Sequence, residues 1–423
     1  MSSHLNHALQ DGLSGLRRVA VRSGLALAGV QAATLATLTV MSELRKRREG
    51  PHEGFPWEEQ PEVEVESGGS RLKLFPYGVR LYEEMLSEIA SAEDHVFLET
   101  FIWKGDELGR RFVEALARKA REGVDVYVIF DGFANLVVPA QFKRFPKEIK
   151  TLHFRPFDHP ASLVDPRNVF RDHRKILCVD GRVGFVGGYN IGGLYARSWR
   201  DTHLRVRGEE VYELENAFID FWNAHRTGDL PPIKPGRERS WRPEILLRRN
   251  DPYLRIFPIR AMYLEAIDRA NHHIYLTHAY FVPDRAFKAG LIEAASRGVD
   301  VQILLPEHSN HVTADWLARR HFYELLAAGV RIFRYKDLMI HTKTATIDGV
   351  WSTVGTANID RFSMLGNYEI NLEIYSRRFA AQMERMFELD KTNAEELTLE
   401  AWERRPLPAK AVERTLASLS PLV

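Results

Sequence analysis

Residues 173–190 read HRKILCVDGRVGFVGGYN, and residues 341–358 read HTKTATIDGVWSTVGTAN. In both, His, Lys, Asp, Gly and Asn fall at offsets 0, 2, 7, 14 and 17: His173, Lys175, Asp180, Gly187 and Asn190, then His341, Lys343, Asp348, Gly355 and Asn358. Agreement at five positions is far more specific than either stretch alone. Residues two apart on a strand share a face, so each histidine points the same way as its lysine. One imidazole and one ammonium group therefore converge on a pocket from each copy. At offset 28 each copy has a carboxylate, Asp201 and Glu369, positioned to accept the imidazole Nδ1 proton and fix the tautomer. A base oriented by a third group is the logic of an activated nucleophile.

The repeat extends outward from these motifs. Residues 95–103 (HVFLETFIW) are strand-like, 107–123 (ELGRRFVEALARKAREG) carry helical apolar spacing closed by a glycine, and 124–130 form a second strand. Residues 273–281 (HIYLTHAYF), 287–298 (FKAGLIEAASRG) and 299–305 repeat that order. Gly123-Val124-Asp125-Val126 recurs as Gly298-Val299-Asp300-Val301, and Phe154-Arg155 as Phe333-Arg334. Internal duplication is the simplest explanation, and alternating strands and helices mean an α/β fold. The expected organisation is an N-terminal helix and Pro/Glu-rich connector (1–66), a first domain (67–228), a Pro/Arg-rich linker (229–250), a second domain (251–392) and a helical tail (393–423).

Composition limits the function classes. The 423 residues carry 58 Lys and Arg against 57 Asp and Glu, with 45% apolar and 27% charged residues, which excludes a disordered chain and a polytopic membrane protein. Near-neutral charge removes the long basic face of a nucleic-acid coat, so no nucleic-acid partner is expected. The single cysteine, Cys178, excludes an intramolecular disulfide and a Cys-based zinc site. His272-His273 and His308-x-x-His311 lack a cysteine or paired carboxylate to complete a metal site, so no metal is expected. Gly187-Gly188 and Gly192-Gly193 lack the GxGxxG and Walker spacings and read as tight turns. Arg237, Arg239, Arg242, Arg248 and Arg249 read as a solvated basic run able to touch anionic lipid. Phe55, Trp57 and Trp199 suit core packing or a lipid interface.

Twenty residues from Ser23 to Ser42 carry no charge, between Arg17, Arg18 and Arg22 on one side and Arg45, Lys46, Arg47 and Arg48 on the other. The run is long enough to span a bilayer. Its Ala, Thr, Gly and Ser content and central Gln31 equally suit a helix lying on the membrane. The plainer alternatives are a helix packed on the body or a secretory signal. Stronger positive charge on the C-terminal side points to a cytoplasmic catalytic body at the cell membrane.

The paired motifs resemble the signature of the phospholipase D superfamily, His-x-Lys-x4-Asp-x6-Gly-[Gly/Ser]-x-Asn, with a departure at Thr356. Within it the chain is most similar to bacterial cardiolipin synthases of the short, two-motif type. The likeness rests on residues 98–103 (LETFIW), 173–175 (HRK), 185–192 (FVGGYNIG), 279–284 (AYFVPD), 328–335 (AGVRIFRY) and 418–423 (SLSPLV). The resemblance implies two tandem phospholipase D-like α/β/α sandwich domains, no cofactor or metal, and two histidines facing each other across a pseudo-twofold axis. One forms a phosphohistidine while the other protonates the leaving alcohol. By that analogy His173 is the nucleophile and His341 the acid, Lys175, Lys343, Asn190 and Asn358 hold the non-bridging oxygens, and Asp201 and Glu369 orient the histidines. Asp180 and Asp348 are counted with the catalytic motif as markers with a structural role, since each precedes a glycine and strongly suits a turn.

The expected reaction joins two phosphatidylglycerol molecules into cardiolipin with release of glycerol, at a membrane surface. The rivals are a phospholipase D-type hydrolase on the same scaffold, a nuclease, and a catalytically dead membrane-binding protein. Two complete sets of His, Lys, Asn and carboxylate weigh against the last. Oligomeric state is not readable from the sequence.

Overall fold

The computed structural model describes residues 2–49, 62, 64–136, 138–139, 144–155, 170–234 and 244–416. Phe55, Trp57, Arg237, Arg239, Arg242 and the 418–423 end lie outside the described residues. The first half comprises α1 (Ser2–Glu49), β1 (Glu64–Ser67), β2 (Ser70–Phe75), α2 (Gly78–Ala90), β3 (His95–Thr100), α3 (Glu107–Arg121), β4 (Asp125–Asp131), β5 (Lys150–Phe154), β6 (Ile176–Val179), β7 (Val183–Gly187), α4 (Gly193–Ser198), β8 (Trp199–Arg200), β9 (His203–Arg207) and α5 (Val211–His225). The second comprises β10 (Ile245–Asn250), α6 (Pro258–Arg269), β11 (His273–His278), α7 (Arg285–Ser296), β12 (Asp300–Pro306), α8 (Val312–Ala327), β13 (Arg331–Tyr335), β14 (Met339–Ile340), β15 (Lys343–Ile347), β16 (Trp351–Gly355), α9 (Arg361–Leu365), β17 (Glu369–Tyr375), α10 (Arg377–Thr392), β18 (Ala394–Leu397), α11 (Leu399–Glu403) and α12 (Leu407–Leu416).

Two eight-stranded sheets result, ordered β1-β2-β9-β7-β6-β3-β4-β5 and β10-β17-β16-β15-β11-β12-β13-β18. Their six shared strands run β9-β7-β6-β3-β4-β5 and β17-β16-β15-β11-β12-β13, so the duplication seen in the motifs is a duplication of sheets. The strands β3, β4 and β5 are mutually parallel, as are β11, β12 and β13, while the motif strands run antiparallel to them. Parallel strands covered on both faces need apolar residues on both, which is why β4 reads as the near-continuous DVYVIFD. In the first half α2 and α3 cover one face. On the other, α5 packs in a core that continues into β17 and α10 of the second half. The two sheets thus share one hydrophobic layer.

The ends of the domains differ from the expected boundaries. Ile245–Asn250 lies in the expected linker but pairs with β17 as an edge strand. Its Arg248 and Arg249 are not free basic groups, since they pair with Glu373 at 2.7 Å and Asp220 at 2.6 Å. Ala394–Leu397, in the expected helical tail, is the opposite edge strand, paired with β13. Glu64–Ser67 extends the first sheet three residues into the expected connector. Edge strands bury one face or less, so their polar composition hid them.

One segment among the described residues, Val21–Arg45 in α1, is long and apolar enough to cross a membrane. Its C-terminal half docks on the body: Leu35 and Leu38 pack against the second core, Gln31 and Ser42 are buried, and Gln31 Nε2 donates to the Thr415 carbonyl at 2.9 Å. These four positions form one helical stripe against α8 and α12. Outside this stripe Leu27, Val30, Val40, Met41 and Leu44 are exposed.

The halves are stitched through short backbone pairings. Trp199 and Arg200 pair in parallel with Met339 and Ile340, and Asp172 bridges Tyr368. Arg200 anchors the first of these, its guanidinium gripping Asp390 of α10 with two bonds at 2.8 and 2.7 Å while fully buried. Arg200→Met should cost about 3–5 kcal/mol, because it leaves the Asp390 carboxylate buried and unpaired. Adding Asp390→Leu should recover most of that loss in denaturant unfolding of detergent-solubilised protein. A double variant no more stable than the single one would contradict this account.

Candidate active site

Each motif histidine stands at the entry to a strand, just before β6 or β15, where the sheet edge meets the other half. The backbone sets their positions across the interface. His173 N donates to the Tyr368 carbonyl at 3.0 Å, and His341 N donates to the Arg200 carbonyl at 2.6 Å. The next residue after Tyr368 is Glu369, and the next after Arg200 is Asp201. Each imidazole is therefore delivered to the carboxylate of the opposite half. His173 Nδ1 lies 2.9 Å from Glu369 Oε2, and His341 Nδ1 lies 2.7 Å from Asp201 Oδ2. Equal offset within each copy suggests a histidine paired with its own carboxylate; the structure crosses the pairs. With Nδ1–H donating to the carboxylate, Nε2 is the nitrogen left to act on a substrate.

The two carboxylates are held by different means. Thr356 Oγ1 donates to Glu369 Oε2 at 2.6 Å, so the departure from the family signature gives that carboxylate a second donor. The equivalent residue in the first half is Gly188, where an added Cβ would stand 2.2 Å from Asp201 Oδ1. The shorter aspartate occupies the space of the missing side chain. Gly187 and Gly355 are needed for a related reason, since a Cβ there would meet the Thr202 carbonyl at 2.4 Å and Asn371 Oδ1 at 2.2 Å.

His173, Lys175, Asn190, Asp201, His341, Lys343, Asn358 and Glu369 are all buried and belong to one site. Lys175 Nζ donates to the His173 carbonyl at 2.6 Å, and Lys343 Nζ to the His341 carbonyl. Asn190 Oδ1 accepts from Ile102 N at 3.0 Å, which leaves its amide hydrogens for another acceptor, while the buried Asn358 Oδ1 has no partner. Burial and the neighbouring Lys343 ammonium bring Lys175 down to about 7, against the pull of Glu369 and Asp201. Burial likewise brings Lys343 to about 8. Burial and the lysines lower His341 well below the ordinary histidine range, and burial lowers His173 as well. Burial raises Asp201 despite Lys343 nearby. The two lysines, the two imidazoles and Asp201 are pushed toward neutrality, and each responds to charges of both halves.

The structure places Asp180 and Asp348 away from the two imidazoles, at the far end of the motif hairpins. Seven residues of extended chain put them roughly 23 Å along from their histidines. Each takes φ of 54° before a glycine at 62° or 64°, the two left-handed positions of a type I′ hairpin turn. The Asp180 carboxylate accepts from the backbone N–H groups of Glu93, Asp94 and His95, and Asp348 from those of Asn271, His272 and His273. These bonds hold both carboxyls below their ordinary range despite partial burial. The motif aspartates clamp the start of β3 and β11 to the far end of the hairpin.

Sequence reasoning missed several supporting side chains. Arg174 is buried against Glu99 and Asp172, with its guanidinium 4.1 Å from the Phe221 ring centre. Rings wall the imidazoles: Phe101 at 4.7 Å from His173, and Trp199 at 4.8 Å and Tyr280 at 6.0 Å from His341. Trp199 thus packs on the site rather than at a lipid interface. Glu99, Phe101, Arg174 and Tyr280 all lie inside stretches that carry the resemblance, but nothing in the motif spacing marks them as lining the site.

Fold and site together define a two-motif phosphodiester-transfer enzyme of the phospholipase D type. The family described as "Cardiolipin synthase, PLD-like domain" matches residues 85–222 and again 263–391. A cardiolipin synthase of Listeria monocytogenes is 32% identical over 364 residues, covering 84% of this chain and 76% of its own. One from Staphylococcus aureus is 32% identical over 367 residues, covering 83% and 73%. A solved phosphatidylserine synthase from Haemophilus influenzae shares the fold, with a TM-score of 0.62 over 86% of this chain and 95% of its own at 12% identity. The chain belongs to the cardiolipin synthase family, a phosphatidyltransferase branch of the phospholipase D superfamily.

Asp201→Ala should lower turnover by about 10²-fold or more, because His341 loses both its tautomer and its orientation. Asp180→Ala should instead cost about 2 kcal/mol of stability, with turnover per folded molecule close to wild type. Comparing unfolding curves with active-fraction kinetics separates the two; equal catalytic losses would give Asp180 a catalytic role.

Proposed function

We propose that the enzyme moves a phosphatidyl group from one phosphatidylglycerol to a glycerol hydroxyl of another, forming cardiolipin and releasing glycerol. The observation that carries this reading is the pair of buried imidazoles, each oriented by the other half's carboxylate and flanked by two buried lysines. The relatives are named for making cardiolipin, and two phosphatidylglycerol molecules supply its two phosphatidyl groups and bridging glycerol with one glycerol left over. His173 Nε2 attacks phosphorus, the bond to the departing glycerol oxygen breaks, and His341 Nε2–H gives that oxygen its proton. The acceptor hydroxyl then returns a proton to His341 and attacks phosphorus, and the phosphorus–nitrogen bond breaks to free His173. Lys175, Lys343 and the amide hydrogens of Asn190 and Asn358 stabilise the non-bridging oxygens as charge builds on them. An anionic phosphodiester raises both lysines and His341 toward their charged forms, so substrate itself prepares the acid. A phosphate-labelled donor followed by rapid quenching should leave label on His173; label on His341 would reverse the two roles.

α1 holds the body at the membrane, and the basic residues that follow its apolar run favour a cytoplasmic catalytic body. Phosphatidylglycerol vesicles incubated with the full chain should yield cardiolipin and free glycerol by mass spectrometry, and neither with His173→Ala. Phosphatidic acid as the main product would make water the acceptor and the enzyme a hydrolase.

The pH dependence follows from the lysines. They hold an anion only when protonated, so kcat/KM should fall as pH rises through about 7 and about 8. On the acid side the nucleophile must be neutral, and burial lowers His173, so that limb should lie below the usual histidine value. A profile flat up to pH 9 would remove the lysines from phosphate binding.

A further inference from the structure

A cavity of about 550 Å³ lies between α1 and the second half, within the ~300–1,000 Å³ common for ligand pockets. Leu38, Met41 and Leu44 of α1 form one wall, and Leu305, Trp316 and Phe322 form the other. The cavity reaches Tyr280, whose ring stands 6.0 Å from that of His341 and 5.3 Å from that of His311. The apolar walls of the cavity therefore run from the membrane helix to Tyr280, whose ring lies against one catalytic imidazole. The outer face of α1 along the same wall, from Val30 to Leu44, is apolar and exposed. Lipid covers such a face when the helix is membrane-bound, and α1 then stands between the cavity and the bilayer. One turn further, Arg45 and Arg48 line the same cavity and set cations where anionic headgroups begin. Glu307 and Asp315 also line it. Arg334 lies 3.6 Å from Glu307, and Asp315 accepts from Ser309 N at 2.9 Å.

We propose that this cavity receives an acyl chain of the phospholipid whose phosphodiester lies against His341. The proposal rests on the phosphatidyltransferase reading and adds to it the route by which one lipid reaches the site without leaving the bilayer. The apolar part of this lining gains little from water and is covered favourably by hydrocarbon. Tyr280, whose hydroxyl donates to Asn310 Oδ1 at 2.5 Å, marks the passage from chain to headgroup.

The test compares dioleoyl with dihexanoyl phosphatidylglycerol, using the full chain in mixed micelles. Met41→Trp and Leu44→Trp put an indole into the cavity from exposed positions of α1, where folding does not depend on them. The ratio of kcat/KM for the long-chain over the short-chain donor should fall about tenfold or more. The same change at Leu25, outside the cavity, should leave the ratio as in wild type. An unchanged ratio in both cavity variants would overturn the proposal. A second readout does not need turnover: phosphatidylglycerol with a photoreactive group at the chain end, in vesicles with His173→Ala protein, should label peptides containing Tyr280 or Trp316. Label confined to residues 21–30 would overturn it. If wild-type protein converts neither lipid, the transferase reading fails, while the labelling still decides the cavity.

Discussion

The structure depends on two hydrogen bonds that cross between its halves, His173 to Glu369 and His341 to Asp201. A buried imidazole needs a partner on one nitrogen if the other is to present a defined lone pair or proton. Here neither half supplies that partner for its own histidine. The backbone pairing of Trp199-Arg200 with Met339-Ile340, and the bridge from Asp172 to Tyr368, fix the register that brings each pair together. The shared hydrophobic layer of α5 and α10 follows from the same need, because a mobile interface would misalign both imidazoles. Two sheets able to close separate cores are thereby obliged to act as one body.

Charge explains why such a site suits a phosphodiester. Two lysines, two carboxylates and two imidazoles are buried together, and removal from water favours the neutral form of each. The lysines feel this strongly, resting near 7 and 8. An entering anion reverses the balance by stabilising ammonium and imidazolium groups together. Fixed ammonium groups of this kind stabilise charge that builds on non-bridging oxygens during transfer of a phosphodiester.

The duplicated halves have diverged where their tasks differ. Gly188 leaves space for the short Asp201, while Thr356 reaches the longer Glu369 with a hydroxyl. Between histidine and lysine the first motif holds Arg174, locked to Glu99 and Asp172, where the second holds the small Thr342. Among the described residues, α1 docks on the second half through the stripe of Gln31, Leu35, Leu38 and Ser42. Symmetry of the reacting groups thus coexists with an asymmetric relation to the membrane.

Spacing alone determined the repeat, the α/β class, the motif strands and the polar side chains of the site, because periodicity and local offsets are written along the chain. The Asp-Gly pairs also signalled their hairpin turns locally, and Asp180 and Asp348 take the left-handed positions of those turns. The edge strands Ile245–Asn250 and Ala394–Leu397 escaped notice because half-covered strands lack a strong apolar pattern. Which carboxylate serves which histidine, the grip of Arg200 on Asp390 and the hollow beside α1 were decided only by tertiary structure. Each joins residues far apart in sequence, and equal offsets in two copies permit pairing within a half as readily as across. The docking of the halves removes that degeneracy, since only the crossed register closes both the backbone pairs and the common core.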